Sequence, residues 1–423
     1  MKKKTLVALG LIAATSMAAT APANAAITVG GANGWQFSTD GIVDLFSYYT
    51  STEKGPDAGK LPAAKNHALS LLSVGGNEDK SDSRFGTGIG LLPSVIAFNV
   101  KAPTTNGVDS SVRIGIYPAL QNSGKTVGDG ERFNTNPNID FREFFYTAKG
   151  SAGELLVGRA LNLFQGKNIL NDMTLLGSGV VPGAAFHGNT TLGHIGYGYL
   201  YTNFGPQFRY TTPDMGGTKV AVSIGEPYKV SGDTTKTNTP RLETEVSYAN
   251  KFGDTAVQAW LSGLYQSGER ATGDKIKSTG VACGASVAMK FGLGLMASGY
   301  YGKGLGMVSV QDGDFLGSTS TDAAGKERTH LGGLLQATFA VTPAVTVGVN
   351  YGQSRQNESD ADKNKTITPV FPVETQAAGT ASVTYAFNSF TKFTVEYTNA
   401  KNTWMDGVTQ TSNQFALGST FFW

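Results

Sequence analysis

The chain has 423 residues, of which 16% are charged, and it contains 55 glycines and one cysteine. A single cysteine excludes an intramolecular disulfide, so an exported protein of this size needs another source of stability. Without the first 25 residues, which carry three lysines and no acid, the formal charge falls from +2 to −1. A chain so close to neutral has no strong basic field for nucleic acid.

The first 25 residues have the organisation of a secretory signal peptide. Lys2 to Lys4 form a basic start, an uncharged stretch covers residues 5–20, and Ala23-Asn24-Ala25 provides an A-x-A cleavage pattern. The stretch is too short and too rich in alanine to remain as a membrane helix, which needs about 20 mostly apolar residues. We therefore expect cleavage after Ala25, which leaves residues 26–423 as one domain.

Residues 26–423 contain repeated segments of about ten residues in which apolar and polar side chains alternate, the pattern of membrane β-strands. The clearest segment, 345–352, alternates valine or tyrosine with threonine, glycine or asparagine. No run approaches the 18 or so apolar residues of a membrane helix. The pattern predicts an all-β, transmembrane, antiparallel up-and-down barrel with sixteen strands, or eighteen if one hairpin in a long loop escapes the count. The sixteen segments are centred near residues 42, 95, 115, 144, 156, 209, 223, 246, 261, 285, 298, 335, 349, 381, 395 and 417.

The connections between these segments alternate between short and long. Short periplasmic turns and long extracellular loops are typical of bacterial barrels, whereas a soluble β-sandwich has no reason for such alternation. The short turns are predicted at 104–108, 213–217, 251–254, 342–344 and 388–389. The long polar loops are predicted at 51–85, 122–138, 302–328 and 353–373.

The last nine residues form an alternating strand that ends in an aromatic residue. Phe421 and Trp423 share one face of this strand with Phe415 and Leu417. A terminal aromatic carboxylate on such a strand resembles the signal that the bacterial barrel-assembly machinery recognises. We expect Trp423 to lie in the periplasmic aromatic girdle as well.

Two stretches resemble the general porin family of Gram-negative bacteria. Residues 140–148 (DFREFFYTA), continuing through Gly150, Gly153 and Gly158-Arg159, resemble the fourth and fifth strands of that family. Residues 208–217 (FRYTTPDMGG) resemble its strand–turn signature of Arg-Tyr, Ser/Thr-Pro, an acid and paired glycines. The resemblance implies a homotrimer of sixteen-stranded barrels in the outer membrane, with a third extracellular loop that folds into the lumen.

That inward-folded loop would cover residues 161–204. A connection of this length without regular structure usually has a function. The run of carboxylates that the family commonly carries near a Pro-Glu-Phe-Gly-like turn is missing here, and the only formal charges are Lys167 and Asp172. We therefore expect the loop to limit the bore mainly by its size.

Period-two counting assigns one set of charged side chains to the lumen, since a lysine or arginine facing lipid costs about 2–4 kcal/mol at the membrane midplane. Two interpretations stay open: the cations raise the local concentration of anions, or they pair with the acids and hold the loop in place. The predicted cations are Arg113, Arg142, Arg159, Arg209, Lys219 and Arg241, with Lys290 and Lys392. The predicted acids are Asp140, Glu243 and Glu245, with Asp40, Asp44 and Glu396.

A stripe of polar aromatic residues, His194, Tyr197, Tyr199 and Tyr201, lies near the end of the loop. Such a stripe acts either as a slide for sugar rings or as packing between the loop and the wall. Cys283 falls on the lipid side of its segment, where its expected role is packing.

The expected function is passive diffusion of small hydrophilic solutes, and the alternative is a channel of the same architecture that prefers sugars or small carboxylates. An enzyme is disfavoured because the chain has four histidines and no nucleophile elbow, metal-spaced cluster or nucleotide motif. A surface adhesin is a weaker alternative, based on the long loops. We expect no cofactor and no nucleic acid, and the expected partners are the bilayer with its lipopolysaccharide, the assembly machinery and two further copies of the chain.

Overall fold

The computed structural model describes residues 26–56, 67–74, 81–118, 120, 139–183, 190–228, 234–237, 239–270, 273–311, 320–364 and 370–423. The predicted signal peptide, residues 1–25, lies outside this part of the chain. In these ranges, no helix has the length and apolar character needed to cross a membrane.

The described residues form one antiparallel sheet that closes on itself. The strands are β1 Ile27–Gly30, β2 Gln36–Thr52, β3 Asp82–Gly88, β4 Val95–Lys101, β5 Asp109–Pro118, β6 Ile139–Gly150, β7 Gly153–Leu161, β8 Phe204–Thr211, β9 Thr218–Gly225, β10 Thr234–Lys236, β11 Arg241–Phe252, β12 Thr255–Arg270, β13 Lys275–Ala288, β14 Leu293–Lys303, β15 Thr329–Ala340, β16 Val345–Gln356, β17 Val373–Ala386, β18 Thr391–Trp404 and β19 Thr409–Phe422.

Strand pairing closes the barrel between its first and last long strands. On β19, Phe422 lies opposite Ile42 of β2, and Ser412 lies opposite Thr52. Strands β3 and β4 both pair with β2 and run in the same direction, so together they make one interrupted barrel strand. Within the described ranges the barrel therefore has sixteen strands, and β1 and β10 are short additions at its two ends. Each of the sixteen predicted strand centres lies in a barrel strand.

The two faces of each strand meet different surroundings, as the alternation predicted. Outward residues such as Val281, Leu295 and Val349 are apolar and exposed, whereas inward residues such as Ser354 and Gln376 are fully buried. The apolar outer face suits lipid, because a membrane barrel alternates between a lipid-facing and a lumen-facing side chain. Cys283 is exposed on the outer face, where it was predicted to lie.

Short turns connect the strands at one end of the barrel, which we call the periplasmic end. The five predicted turns are confirmed, and β6–β7 and β13–β14 add two more. The described parts of three predicted long polar loops, 51–85, 302–328 and 353–373, lie at the opposite, extracellular end. The fourth, 122–138, lies outside the described residues. Two connections at that end, 271–274 and 405–408, are short, so the alternation in length is not complete.

The described helical elements lie in the extracellular connections. The helix α1 (Gly166–Leu170) and a 3₁₀ helix (Met173–Leu176) belong to the connection between β7 and β8. A second helix, α2 (Asp360–Lys363), follows β16 and begins with a capping box in which Ser359 and Asp362 bond each other's backbone N–H groups.

Candidate functional site: the lumen and its constriction

We call the connection between β7 and β8 the constriction loop, and its described residues, 162–183 and 190–203, lie inside the barrel. Its first part is held by strands β11 and β12. The backbone N–H of Leu163 donates to Glu243 Oε2 at 2.8 Å, and Trp260 Nε1 donates to Asn168 Oδ1 at 2.8 Å. The predicted inward fold of this loop is therefore confirmed.

The middle of the constriction loop reaches the opposite wall. The N–H groups of Ser178 and Gly179 both donate to one carboxylate oxygen of Glu396 on β18, each at 2.8 Å. On β19, Gln414 accepts from the N–H of Val181 at 2.7 Å and donates to its carbonyl at 2.8 Å. The loop thus crosses the lumen before it returns to β8.

The returning part packs tightly on β16 and β17. Gln376 donates to the carbonyl of Gly196 at 2.6 Å, and the N–H of Gly198 donates to Ser354 Oγ at 3.0 Å. A Cβ on Gly352 would lie 2.0 Å from the carbonyl oxygen of Tyr197. Only a glycine on β16 lets the loop backbone approach the wall this closely.

Other loops also enter the barrel, a feature that the sequence patterns did not predict. Leu71 and Leu72, from the connection between β2 and β3, pack in one buried cluster with Met307 and Val308, from the connection between β14 and β15. The same cluster contains Tyr197 and Tyr199 of the constriction loop and Trp404 of β18. A hydrophobic core therefore fills the extracellular part of the lumen beside β11–β19, which we call the packed half.

A contact near the extracellular surface fixes the first of these loops. His67 Nε2 lies 2.7 Å from Asp406 Oδ2, and the imidazole ring contacts the Phe371 ring at a centroid distance of 5.2 Å and an interplanar angle of 30°. Trp404 Nε1 also donates to the carbonyl of Ala68 at 2.8 Å. These contacts join the connections before β3, before β17 and before β19.

An open cavity of about 2020 Å³ occupies the rest of the lumen. Its lining includes periplasmic residues such as Lys149 and Lys251, and also Arg142 and Phe204 near the extracellular ends of β6 and β8. The cavity therefore runs along the barrel axis, next to the wall of β4–β8 at the level of the constriction loop. We call this side the open half.

Charged side chains on the open half pair with one another. Arg113 donates to Glu143 Oε2 at 2.9 Å and to Asp40 Oδ2 at 2.9 Å. Tyr117 donates its hydroxyl to the same oxygen of Glu143 at 2.6 Å, and Asn99 donates to Asp40 at 2.7 Å. One guanidinium thus sits between two carboxylates, so this part of the wall carries little net positive charge.

Arg142 lies beside this cluster because of an irregularity in strand pairing. The register of β5 against β6 shifts between Gly115 and Tyr117, which turns Arg142 toward the lumen even though Glu143 also faces inward. Its guanidinium lies 4.9 Å from the Tyr117 ring and 5.7 Å from the Phe204 ring, and it pairs with Asp140 at 2.8 Å. Asp140 is half exposed at the extracellular end of β6.

The remaining predicted lumen charges lie under or beside the constriction loop. Arg241 donates to Glu243 through Nε at 2.8 Å, and both side chains are buried. Arg209 donates to the carbonyl of Leu161 at 3.3 Å and is buried, as is Glu245 on the same inward face of β11. These groups surround the start of the loop, where Glu243 also accepts the N–H of Leu163.

Two of the predicted lumen cations are elsewhere. Arg159 lies on the outward face of β7, opposite Phe144 and Pro206, and donates to the carbonyl of Phe204 at 2.9 Å. Its inward assignment is wrong because β7 alternates regularly, with Leu156 and Ala160 buried inside.

The inward assignment of Lys290 is also wrong. Lys290 occupies a periplasmic turn and pairs with Asp254 at 2.6 Å, with both side chains exposed. Lys219 shares the inward face of β9 with Ser223, at the periplasmic mouth. Lys392 and Glu396 line the cavity, and Asp44 is buried, where it accepts the N–H of Gly90 at 2.6 Å.

The period-two assignment of lumen-facing charges did not include Glu143, because the shifted register places Glu143 and Arg142 on the same side of the wall. The signal that pointed to it was indirect. If Phe144 and Tyr146 face lipid, residue 143 must face the lumen, and only a bulge reconciles this with an inward Arg142.

The polar aromatic stripe lies between the loop and the wall. His194, Tyr197 and Tyr199 are fully buried, and Tyr199 donates its hydroxyl to Asp172 at 2.6 Å. Burial and the adjacent carboxylate raise the pKa of Tyr199 well above its ordinary value. Only Tyr201 lines the cavity. The geometry therefore favours the packing interpretation over a slide for sugar rings.

The constriction loop brings its two predicted charges into different surroundings. Asp172 is buried and caps the 3₁₀ helix by accepting the N–H of Thr174 at 2.9 Å. Lys167, in α1, is only partly buried. Across the described ranges, no group of three or more histidine, cysteine, aspartate or glutamate residues is arranged to hold a metal ion.

A closed barrel with an inward loop and an axial cavity defines a transmembrane channel protein. The sequence matches the family model described as Gram-negative porin over residues 10–371, so the chain belongs to this family. No curated relative matches the sequence.

Solved structures share the fold at low sequence identity. The outer membrane channel DcaP of Acinetobacter baumannii is 17% identical with a TM-score of 0.64, covering 94% of this chain and 100% of that one. An anion-selective porin from Comamonas acidovorans is 16% identical with a TM-score of 0.59, covering 92% and 100%. OmpF of Salmonella typhi, solved with daunomycin, is 13% identical with a TM-score of 0.52, covering 92% and 98%. At these identities the likeness concerns the fold.

Proposed function

We propose that the protein forms a water-filled channel through which small hydrophilic solutes and ions diffuse passively across the outer membrane. One observation carries the proposal: the cavity extends from the periplasmic turns to the extracellular ends of β6 and β8 beside a loop that is bonded to the far wall. Diffusion through such a lumen needs neither a cofactor nor a chemical step.

The lining supports weak charge selectivity. Arg113 is neutralised by Asp40 and Glu143, and Arg241 by Glu243. Paired charges create a small net field, so they change the local ion concentration little. The constriction loop then limits the bore of the channel by its size, as expected from its low charge.

A preference for small carboxylates is the second candidate, and Arg142 is the observation that favours it. Arg142 lines the cavity and its side chain is 20% exposed, while the side chain of its acidic partner, Asp140, is 54% exposed. An exposed acid screens a neighbouring cation less effectively than a buried one. The fold that this chain shares with an anion-selective porin is consistent with this candidate.

We further propose export with removal of residues 1–25, insertion by the assembly machinery through Phe421 and Trp423, and assembly as a homotrimer. One similar structure, OmpT of Vibrio cholerae, is a trimer form. The exposed aromatic face of β19 supports the assembly signal.

Single-channel recording in a planar bilayer with a salt gradient tests the function. We expect stepwise conductance, grouped in threes if the protein is a trimer, and a small reversal potential. A folded, heat-modifiable protein that inserts without conducting would contradict the channel and favour the adhesin. A large reversal potential of anionic sign would replace the weakly selective channel by the carboxylate-preferring one.

A further inference from the structure

Lysine side chains face the lumen at the periplasmic end of the wall. Lys251, near the end of β11, and Lys392, near the start of β18, both line the open cavity. Lys219, near the start of β9, shares the inward face of that strand with Ser223. The three lysines therefore lie on separate parts of the same mouth of the pore.

Strand register places uncharged residues beside each of the three lysines. Lys251 lies opposite an alanine of β12, and Lys219 lies opposite a serine of β11. Lys392 lies between an alanine of β17 and a threonine of β19, and its ammonium group is 5.4 Å from the centre of the Phe422 ring. In the described ranges, no carboxylate oxygen lies within 4.0 Å of any of the three ammonium groups.

The other lumen-facing lysines at this mouth have acidic neighbours. Lys101 lies 3.9 Å from Asp109, and Lys149 lies opposite Asp109 on one side and Glu154 on the other. The two ends of the mature chain, which both line the cavity, add one charge of each sign after the proposed cleavage. The lysines at 219, 251 and 392 therefore remain as an excess of positive charge.

Charges at the level of the constriction loop are balanced by comparison. Arg113 pairs with Asp40 and Glu143, and Arg241 pairs with Glu243. Screening limits the reach of a fixed charge to about 10 Å in 0.1 M salt and about 30 Å in 0.01 M salt. In dilute salt the field of the three lysines therefore extends across the periplasmic mouth, where it attracts anions and repels cations.

We propose that Lys219, Lys251 and Lys392 select small anions at the periplasmic mouth, and that this selection depends on which side of the membrane holds the dilute salt. A charge at one mouth is screened by the solution that bathes that mouth, whereas a charge in the middle of the pore meets a mixture of both solutions. The inference rests on the proposed diffusion channel and adds a determinant of selectivity at the opposite end of the lumen from Arg142.

Single-channel recording of the mature protein tests the proposal. Each channel is given KCl at about 0.01 M on one side and about 0.1 M on the other, and the gradient is then reversed. The reversal potential gives the ratio of anion to cation permeability for each direction. Because both directions are measured on one channel, the comparison does not require knowledge of which way the channel inserted.

Two variants with the same change in charge are compared with the wild type. The lumen variant replaces all three lysines of the periplasmic mouth by glutamine. The control variant removes three lysines from the outward face near the extracellular ends of β13 and β14, where they lie outside the pore. Its substitutions are Lys275→Gln, Lys277→Gln and Lys303→Gln.

For the wild type we expect the ratio of anion to cation permeability to be about twofold higher in one direction of the gradient than in the other. The lumen variant should give equal ratios, and the control variant should keep the difference. Equal ratios in the wild type, a difference that persists in the lumen variant, or the same loss in both variants would overturn the proposal and leave the diffusion channel in place. A folded protein that does not conduct would overturn both.

Discussion

The two halves of the lumen are built on the same alternating strands, yet they use inward polar residues in different ways. In the packed half, Gln376, Glu396 and Gln414 bond the backbone of the constriction loop. In the open half, Arg113 and Glu143 bond each other and face the cavity. An inward polar residue therefore marks the lumen side of the wall, but it does not by itself mark the pore.

The two halves differ because only the packed half contains loop backbone groups that need hydrogen-bond partners from the wall. A loop that crosses the barrel interior carries backbone N–H and C=O groups away from water, and each unsatisfied one costs about 1–3 kcal/mol. Amide and carboxylate side chains on β17–β19 supply those partners. The wall of the open half faces the water-filled cavity and has no loop backbone to bond. Its charged side chains therefore pair with one another.

The largest expected effect comes from a buried ion pair above the packed half. Arg328 donates to Asp362 through Nε at 2.9 Å and through a terminal nitrogen at 2.6 Å, and it also donates to the carbonyl of Thr321 at 2.7 Å. Arg328→Ala leaves the buried carboxylate without this cation, at a cost of about 3–5 kcal/mol in the free energy of unfolding. Hydrogen exchange should show lost protection in residues 320–328 and 357–364.

Arg355→Ala is the control, since its pair with Glu374 is exposed and is worth about 0–1 kcal/mol. The pH dependence separates the two pairs further. Burial raises the pKa of Asp362, but its bonds to Arg328 and Ser359 outweigh this and lower the pKa below the ordinary value of 3.8. The contribution of the pair is thus complete above that value and is lost as the pH falls through the lower folded one. Protection that already fades near neutral pH in the wild type would contradict this account.

The next effect concerns the anchor of the constriction loop on β18. Glu396→Ala removes the acceptor of two buried N–H groups, those of Ser178 and Gly179, at about 1–3 kcal/mol for each group. We expect the loop to leave the wall part of the time, so single-channel records should show added conductance steps and excess noise. Glu396→Gln keeps an acceptor oxygen, so its single-channel records should show neither the added conductance steps nor the excess noise. If both variants conduct as the wild type does, the anchor does not hold the loop.

A steric change should have a smaller effect on the same loop. Gly352→Ala places a Cβ 2.0 Å from the carbonyl oxygen of Tyr197, so the backbone must move, at about 1–3 kcal/mol. Gly379→Ala, on the outward face of β17, meets its nearest atom at 3.5 Å and should be tolerated. Thermal unfolding should distinguish the two alanine variants, and equal midpoints would mean that the loop does not rest on β16.

The sequence predicted the barrel well because lipid imposes one simple rule on every strand. Positions 345–352 or 393–397 must show an apolar side chain at every second residue, whatever else they do. The position of the constriction loop could be predicted only from resemblance and length. The entry of Leu71, Leu72 and Met307 into the lumen could not be predicted, because short apolar stretches in polar loops carry no period.

The side of the wall that a residue faces also could not be predicted where the strand register is irregular. A bulge reverses the faces of every residue after it, so the shift near Tyr117 puts both Arg142 and Glu143 on the lumen side, whereas a period-two count that starts from Arg142 excludes Glu143. The misplaced Arg159 has a different cause, since its strand is regular: an inward Arg159 also requires Leu155 and Val157 to face inward, whereas Leu156 and Ala160 are the buried residues. In both cases the outward apolar residues, aromatic on β6 and aliphatic on β7, were the better guide.

The smallest expected effect tests the open half itself. Arg142→Ala removes a guanidinium that lines the cavity and leaves Asp140 without its cation, so cation permeability should rise roughly twofold relative to anion permeability. Arg159→Ala removes a guanidinium from the adjacent strand, but on the outward face, and should leave the reversal potential unchanged. Arg209, buried under the start of the constriction loop, should affect stability more than selectivity when it is replaced by alanine. An equal shift in the Arg142 and Arg159 variants would mean that the net charge of the protein sets selectivity, and that the division of the lumen into a packed and an open half has no bearing on ion passage.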